Sequence, residues 1–437
     1  MDRNLNKEIL QLAAPAILNN ITVPLLGLCD TAIAGHLGSA SYLGAISVGA
    51  MMLNVFFWLS GFLRMGTTGL TAQSLGRKRA DECCEVLRKS LMIAFVISVL
   101  VILFREPLLR VFLYFIQPDK EISELAALYF RVGVWGVPAQ LGVMAISGWF
   151  IGLQTTVVPM TIAISTNIIN IATSILLAFG FKKGFVGIIF GTLCANWLGA
   201  LIAFIWGWKR YRSLGERIVK DKDELHEQKR GVRWGDLFSV NGALFIRSAC
   251  IMGVTMTVTA VGARLGETTL AANAVIMQFF MFFSYFMDGF AFSGEALTGK
   301  YVGESNGRMI LSTARHLSCW GVVMGLLFFL LYTLASREIV SLLTDNIHVI
   351  DEVERYKLWI VLLPPITVSA FIFDGIFVGL TRTRAMMGVT VAGAIIFFIT
   401  LFGTGLTLDN RLLWISFESY LLVRGVSLGV IFFTRIR

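Results

Sequence analysis

The sequence predicts an all-α membrane protein, with twelve transmembrane helices in two pseudosymmetric six-helix lobes around a central cavity. Three observations carry that expectation. Of the 437 residues, 56% are hydrophobic and 15% charged, against about 25% charged in an ordinary soluble domain. Mean hydropathy is +0.75. The apolar residues fall in long runs, Leu91–Phe104 and Val186–Trp208 among them, and a helix that crosses a bilayer needs roughly 20 mostly apolar residues. Finally, the second half of the chain repeats the first.

The hydropathy pattern places spans at 9–34, 43–72, 88–113, 124–153, 157–181 and 185–208. A second set follows at 237–263, 269–298, 310–334, 356–380, 385–404 and 412–434. Between the sets lies Lys209–Arg233, with nine Lys/Arg and five Asp/Glu. The expected organisation is therefore an N-lobe at 1–208, a hydrophilic connector at 209–236 and a C-lobe at 237–437. Gly35-His36-Leu37-Gly38 aligns with Ala263-Arg264-Leu265-Gly266 at an offset of 228 residues, and Gly61 and Gly66 with Gly289 and Gly294. An offset of 227 carries Pro138, Gly148 and Gly152 onto Pro365, Gly375 and Gly379. Several matches in order at nearly one spacing point to duplication. Six helices per half give both halves one orientation, a parallel repeat suited to alternating access by rocking lobes.

The net charge is +9. In a soluble chain that would raise nucleic acid as a partner; here the excess marks cytoplasmic loops. The side carrying both termini and the connector holds 23 Lys/Arg and the other side ten. The positive-inside rule thus places both termini in the cytoplasm of a multi-pass plasma-membrane protein. The N-terminus is polar and leads into a full-length span, so no cleavable signal peptide is expected. The six cysteines show no paired spacing on outer loops, which gives neither a disulfide framework nor a zinc site, and Cys83-Cys84 is expected to be two free thiols.

Ionisable side chains inside a membrane are costly and need a job or a partner. Those within spans are Asp30, Arg247, Asp288, Glu295, Asp374, Glu418 and Arg424, with Arg64 and Arg131. Asp30 falls in the outer half of span 1. It reads either as a protonatable coupling site or as a helix-end residue near the outer surface. Asn167, Asn170 and Ser174 recur at i, i+3 and i+7 in span 5 and form one polar face, either a network beside Asp30 or helix glue. Asp288 and Glu295 share a stripe on span 8, and Asp374 sits on a polar stripe of span 10. Their repeat partners in the first half include Ser60 and Ser147. Arg247 is the expected partner of Asp288 or Asp374, in an ion pair or gate. Pro15 and Pro24 lie within span 1, where a missing backbone donor permits a bend.

No catalytic or nucleotide-binding motif is present. Thr298-Gly299-Lys300 lacks the leading glycine of a phosphate loop, and the four histidines do not cluster. No cofactor, no metal and no enzymatic activity are expected, so active transport would draw on an ion gradient.

The run Asp30-Thr-Ala-Ile-Ala-Gly-His-Leu-Gly38, followed by Leu43-Gly-Ala, resembles the first-span signature of the multidrug and toxic compound extrusion (MATE) family. Tyr285–Gly299 and Phe373–Thr381 resemble its DinF-like branch. The resemblance covers essentially the whole chain. It implies a twelve-helix exporter with protons or Na+ as coupling ion and drugs and dyes as substrates. It also implies that Asp30 is the N-lobe coupling acid, that Pro15 is the bend of span 1, and that Asn170 and Thr192 belong to the coupling network. Many relatives carry an aspartate four residues after that asparagine; here Ser174 stands there, which leaves Asp30 the sole strong acid of the site. The expected protein is a monomeric secondary active multidrug exporter, an antiporter of amphipathic, often cationic compounds, most simply proton-coupled. The alternatives are a lipid or lipid-linked oligosaccharide flippase of the same superfamily and, further off, an intramembrane transferase.

Overall fold

The computed structural model describes residues 3–37, 39–220, 231–403, 405 and 407–435; within helices, the side chains of 23–26, 28, 40, 217–220 and 435 are outside that description. Residues 221–230 of the connector, Gly38 and the side chain of Pro24 therefore lie outside the described residues. Every described element is helical, as a lipid-embedded backbone requires when water cannot satisfy its polar groups.

The first half holds α1 (Arg3–Gly35), then α2 (Ala40–Leu59) and α3 (Gly61–Gly76), which form one span interrupted at Ser60. It continues with α4 (Ala80–Leu103), α5 (Arg105–Ile116) and α6 (Lys120–Gly133). A 3-10 turn (Val134–Gly136) links α6 to α7 (Val137–Gly152). Next come α8 (Val157–Ile175), ending in a π-helical turn (Leu176–Gly180), and α9 (Gly184–Lys220). The second half holds α10 (Trp234–Arg264), α11 (Glu267–Gly303), α12 (Gly307–Leu343), the short α13 (Ile347–Arg355) and α14 (Lys357–Gly379). α15 (Thr383–Phe398) again ends in a π-helical turn (Ile399–Gly403), and α16 (Asn410–Arg435) closes the chain.

Eleven segments among the described residues are long and apolar enough to cross a bilayer. Helix α1, 33 residues long and hence about 50 Å, is the twelfth. On α12 the exposed side chains Val322, Val323, Leu326, Leu327, Leu330 and Leu334 form one apolar stripe. A soluble protein would bury such a stripe; lipid satisfies it.

The chain packs as two units, Leu18–Leu237 and Met1–Ile17 with Phe238–Arg437. The first part of α1, which sequence alone groups with the N-lobe, thus packs within the C-terminal unit. There the Ser293 hydroxyl donates to the Ile9 carbonyl (3.0 Å), the Trp320 indole to Asn6 (3.2 Å) and the Tyr301 hydroxyl to Glu8 (3.3 Å). The start of α10 is treated reciprocally. Val232 and Leu237 pack with Leu70 and Val86 of the N-terminal unit. Lys89 donates to the Val232 carbonyl, pairs with Glu85 at 2.8 Å and lies over the Trp234 ring; Glu85 accepts from the Val232 N–H.

The repeat is written into the turns. Lys78 and Ser305, and Gln154 and Thr381, stand 227 residues apart and all take the left-handed backbone conformation (φ between 52° and 64°). The same helix pair also meets at the same glycines in each unit. A methyl at Gly148 of α7 would lie 2.9 Å from the Arg64 Cα of α3, and one at Gly152 2.7 Å from the Thr68 carbonyl. A methyl at Gly375 of α14 would lie 2.7 Å from the Ala291 Cα of α11, and one at Gly379 2.7 Å from the Glu295 carbonyl. Small residues four apart let membrane helices approach backbone to backbone. The π turns recur at a spacing of 223 because α15 (16 residues) is shorter than α8 (19 residues).

Candidate functional site

Each unit carries its own cluster of buried polar groups. In the N-terminal unit the cluster forms where α8 and α9 come closest. A methyl at Gly191 of α9 would lie 2.7 Å from the Ser174 Cα of α8, so the next residue, Thr192, is brought level with Asn170. The Asn170 amide donates to the Thr192 hydroxyl at 3.0 Å. Asp30 of α1, 6% exposed, lies near enough for that hydroxyl to act on its carboxyl. Thr192 also lies 3.1 Å from the Ile188 carbonyl. With one proton, a hydroxyl can donate to only one of these acceptors at a time.

Several buried oxygens around this point lack a hydrogen-bond partner among the described residues: one carboxylate oxygen of Asp30, the Asn170 carbonyl oxygen and the Ser174 hydroxyl. Tyr129 of α6 is close enough to Asp30 to interact with its charge, and Gly49 of α2 makes room for its ring (a methyl there would lie 2.7 Å from Tyr129 Cγ). Asn167 donates to the Thr22 carbonyl at 3.0 Å and so ties α8 to α1. α1 continues as one helix through Pro15, and its packing passes from the C-terminal to the N-terminal unit between Ile17 and Leu18.

In the C-terminal unit, Arg247 of α10 and Arg424 of α16 converge on Asp374 of α14. Both guanidiniums donate to the same carboxylate oxygen, Arg424 at 2.6 Å. Arg424 also donates to the Tyr420 hydroxyl at 3.3 Å and stacks on its ring at 5.2 Å. Gly393 of α15 makes room for both: a methyl there would lie 3.1 Å from the Tyr420 ring and 3.5 Å from Arg424 Cγ. Counted back from the two π turns, Gly393 falls on the repeat position of Asn170, and Phe397 on that of Ser174. The two units therefore fill equivalent places with different chemistry, a lone acid with hydroxyl and amide in one and a guanidinium-rich ion cluster in the other.

The structure thus brings Asp30, Asn170, Ser174 and Thr192 together, with Asn167 one turn away on α8. Of the C-lobe residues, Arg247 and Asp374 meet. Asp288 is half-buried near Tyr285, and Glu295 is fully buried on α11. Two members escaped the sequence. Arg424 was visible as an intramembrane charge, but no spacing relates it to Asp374, 50 residues earlier. Tyr129 sits in an amphipathic stretch where an aromatic residue reads as core. No group of three or more His, Cys, Asp or Glu that could hold a metal occurs among the described residues, and all six cysteines are free thiols.

Twelve helices in two repeated units, with ion-pairing side chains buried in mid-span, define a duplicated membrane transporter. Residues 15–176 and 243–402 match the MatE family model, and the chain belongs to that family. It is 33% identical over 432 residues to DNA damage-inducible protein F of Escherichia coli K12, covering 98% of this chain and 92% of the relative. It is 24% identical over 400 residues to multidrug resistance protein MdtK of Photorhabdus laumondii, covering 88% and 84%. Among solved structures, MATE in the bent conformation superposes with a TM-score of 0.83 at 17% identity, covering 99% of this chain and 95% of that one.

Proposed function

We propose that the protein is a secondary active exporter of amphipathic, often cationic organic compounds, driven by protons entering the cell and working by alternating access in the plasma membrane with both termini cytoplasmic. The name of its relative multidrug resistance protein MdtK supports export of drugs, and the loop charges support the orientation. The observation that carries proton coupling is Asp30, a buried carboxyl with one unpartnered oxygen and no neighbouring cation among the described residues.

The Thr192 hydroxyl makes this group a two-position device. With Asp30 ionised, the hydroxyl donates to the carboxylate. With Asp30 protonated, the carboxyl is itself a donor, and Thr192 turns to the Ile188 carbonyl. The Asn170 amide holds the Thr192 oxygen in both states. Protonation from outside removes the negative charge that attracts a cationic substrate, which favours its release. Loss of the proton to the cytoplasm restores the charge. α1 carries Asp30 and changes packing partner two residues after Pro15, so we assign Pro15 as the point at which α1 yields between the two states.

Everted membrane vesicles test the coupling ion. An imposed inside-acid pH gradient should drive ethidium into the vesicles, and a sodium gradient at equal pH should not. Sodium-driven uptake without a pH gradient would overturn proton coupling.

A further inference from the structure

We infer that Glu418 is a second proton-carrying site, buried in the C-terminal unit and separate from Asp30. The inference rests on the proposed antiport and adds a site to it.

Glu418 lies eight residues past the start of α16, about 12 Å into the helix, and is 5% exposed. One of its carboxylate oxygens has no hydrogen-bond partner among the described residues. Several other charges buried this deeply form ion pairs: Arg247 and Arg424 with Asp374, Lys89 with Glu85, Glu82 with Arg77. Among the described residues, Asp30 and Glu418 are buried carboxyls with an unpartnered oxygen and no ion pair.

The charged and titratable groups on the helices around Glu418 do not pair with it. On α16, Tyr420 and Arg424 lie roughly 160° and 120° around the helix, facing Asp374. Arg411 shares its face but is exposed and two turns nearer the helix start. α14 supplies Lys357, which pairs with Glu354, and Asp374, held by the two arginines. α15 supplies Arg384, at its first turn. α11, which reaches α16 through the Phe280–Phe417 contact and the Asn273–Trp414 hydrogen bond, supplies Tyr285, Asp288 and Glu295.

An ionised carboxylate without a partner at that depth costs several kcal/mol. Glu418 is therefore accommodated as the neutral acid, and once ionised it regains neutrality only by taking up a cation. Its neighbours on the same face, Trp414, Ile415, Leu421 and Leu422, offer no oxygen ligands, which suits a proton rather than a metal ion. The step is simple: the carboxyl O–H releases its proton to water on the low-proton side, and the carboxylate takes one back on the other. With Asp30 in one unit and Glu418 in the other, each cycle moves two protons.

Everted vesicles holding the full-length protein and ethidium test this under stepped pH gradients. The wild type should show an initial rate near second order in proton concentration. Glu418→Gln should fall to near first order, and Glu418→Asp should restore second order. Infrared spectra of the purified protein give an independent reading. Glu418→Gln should remove one pH-sensitive carboxylic carbonyl band, Glu418→Asp should shift that band, and Asp30→Asn should remove a different one. The Glu418→Asp shift carries the assignment even where Glu418→Gln accumulates poorly. Wild-type order, or an unchanged carbonyl spectrum, in Glu418→Gln overturns the second site whatever Asp30→Asn does. Wild-type pumping by Asp30→Asn with first-order Glu418→Gln would instead overturn the Asp30 reading and leave Glu418 standing.

Discussion

Replacing Asp374 by asparagine tests how buried charge holds the C-terminal unit together. One oxygen of this carboxylate accepts from both Arg247 and Arg424, so the substitution leaves two buried guanidiniums without their anion. Breaking a single buried ion pair by removing one partner costs about 3–5 kcal/mol. Because both pairs share one oxygen, Asp374→Asn should fall at the top of that range rather than at twice its value. Arg424→Met is the contrast. It removes a charge and its hydrogen bonds but leaves Asp374 paired with Arg247, for a cost of about 1–3 kcal/mol. The double variant takes the anion from only one guanidinium and should be more stable than Asp374→Asn alone, a non-additivity of at least about 1 kcal/mol. The assay is the thermal midpoint of the purified protein in detergent. A unit of this size shifts by about 2–4 °C per kcal/mol, so Asp374→Asn should lose on the order of 10–20 °C. If Asp374→Asn is no worse than Arg424→Met, or if the double variant equals the sum of the singles, Asp374 is not the hub and the reasoning fails.

Three further outcomes follow from the packing and the hydrogen bonds. Gly148→Ala and Gly375→Ala each drive a methyl into a neighbouring helix backbone and should destabilise by about 1–3 kcal/mol, whereas Gly142→Ala on the same helix as Gly148 meets open space and should stay within about 0.5 kcal/mol of wild type; equal effects at Gly142 and Gly148 would sink the close-approach account. Thr192→Val keeps the shape but removes the hydroxyl between Asn170 and Asp30, and should slow dye efflux about 10-fold through loss of a hydrogen bond to a charged group; an unchanged rate would mean that Thr192 serves only packing. Lys89→Met frees Val232 and Trp234 from the N-terminal unit, so trypsin should cut after Arg233 about 10-fold faster, in keeping with a lost charge-assisted hydrogen bond; unchanged cutting would show that the apolar contacts of Val232 and Leu237 suffice.

Much of the fold was legible because a bilayer leaves few solutions. The apolar runs must be helices, and the helices extend beyond them where nothing stops them: α9 continues to Lys220 and α11 to Gly303, past the ends of the predicted spans. The repeat was legible in Gly148, Gly152, Gly375 and Gly379 because only glycine tolerates those backbone contacts. The break at Ser60 and the two π turns were not, since no residue type there forbids a regular helix. Nor could sequence show that residues up to Ile17 pack in the C-terminal unit, because an apolar face reveals that it is buried and not against what. The same limit applied at the sites. Asp30, Asn170 and Ser174 announced themselves as polar groups in apolar runs. The partnership of Arg424 with Asp374 depends on the crossing of α14 and α16, and Glu418 gained meaning only once the structure showed one of its oxygens without a partner among the described residues.

The measurement closest to the central claim compares wild type and Asp30→Asn in everted vesicles under an imposed inside-acid pH gradient, with ethidium uptake as the readout. Asparagine fills the same space and keeps a neutral polar head, so it imitates the permanently protonated carboxyl. The variant should assemble in the membrane and still exchange dye across it at equilibrium, yet accumulate none against a gradient. Accumulation by Asp30→Asn at the wild-type rate would contradict Asp30 as the coupling acid.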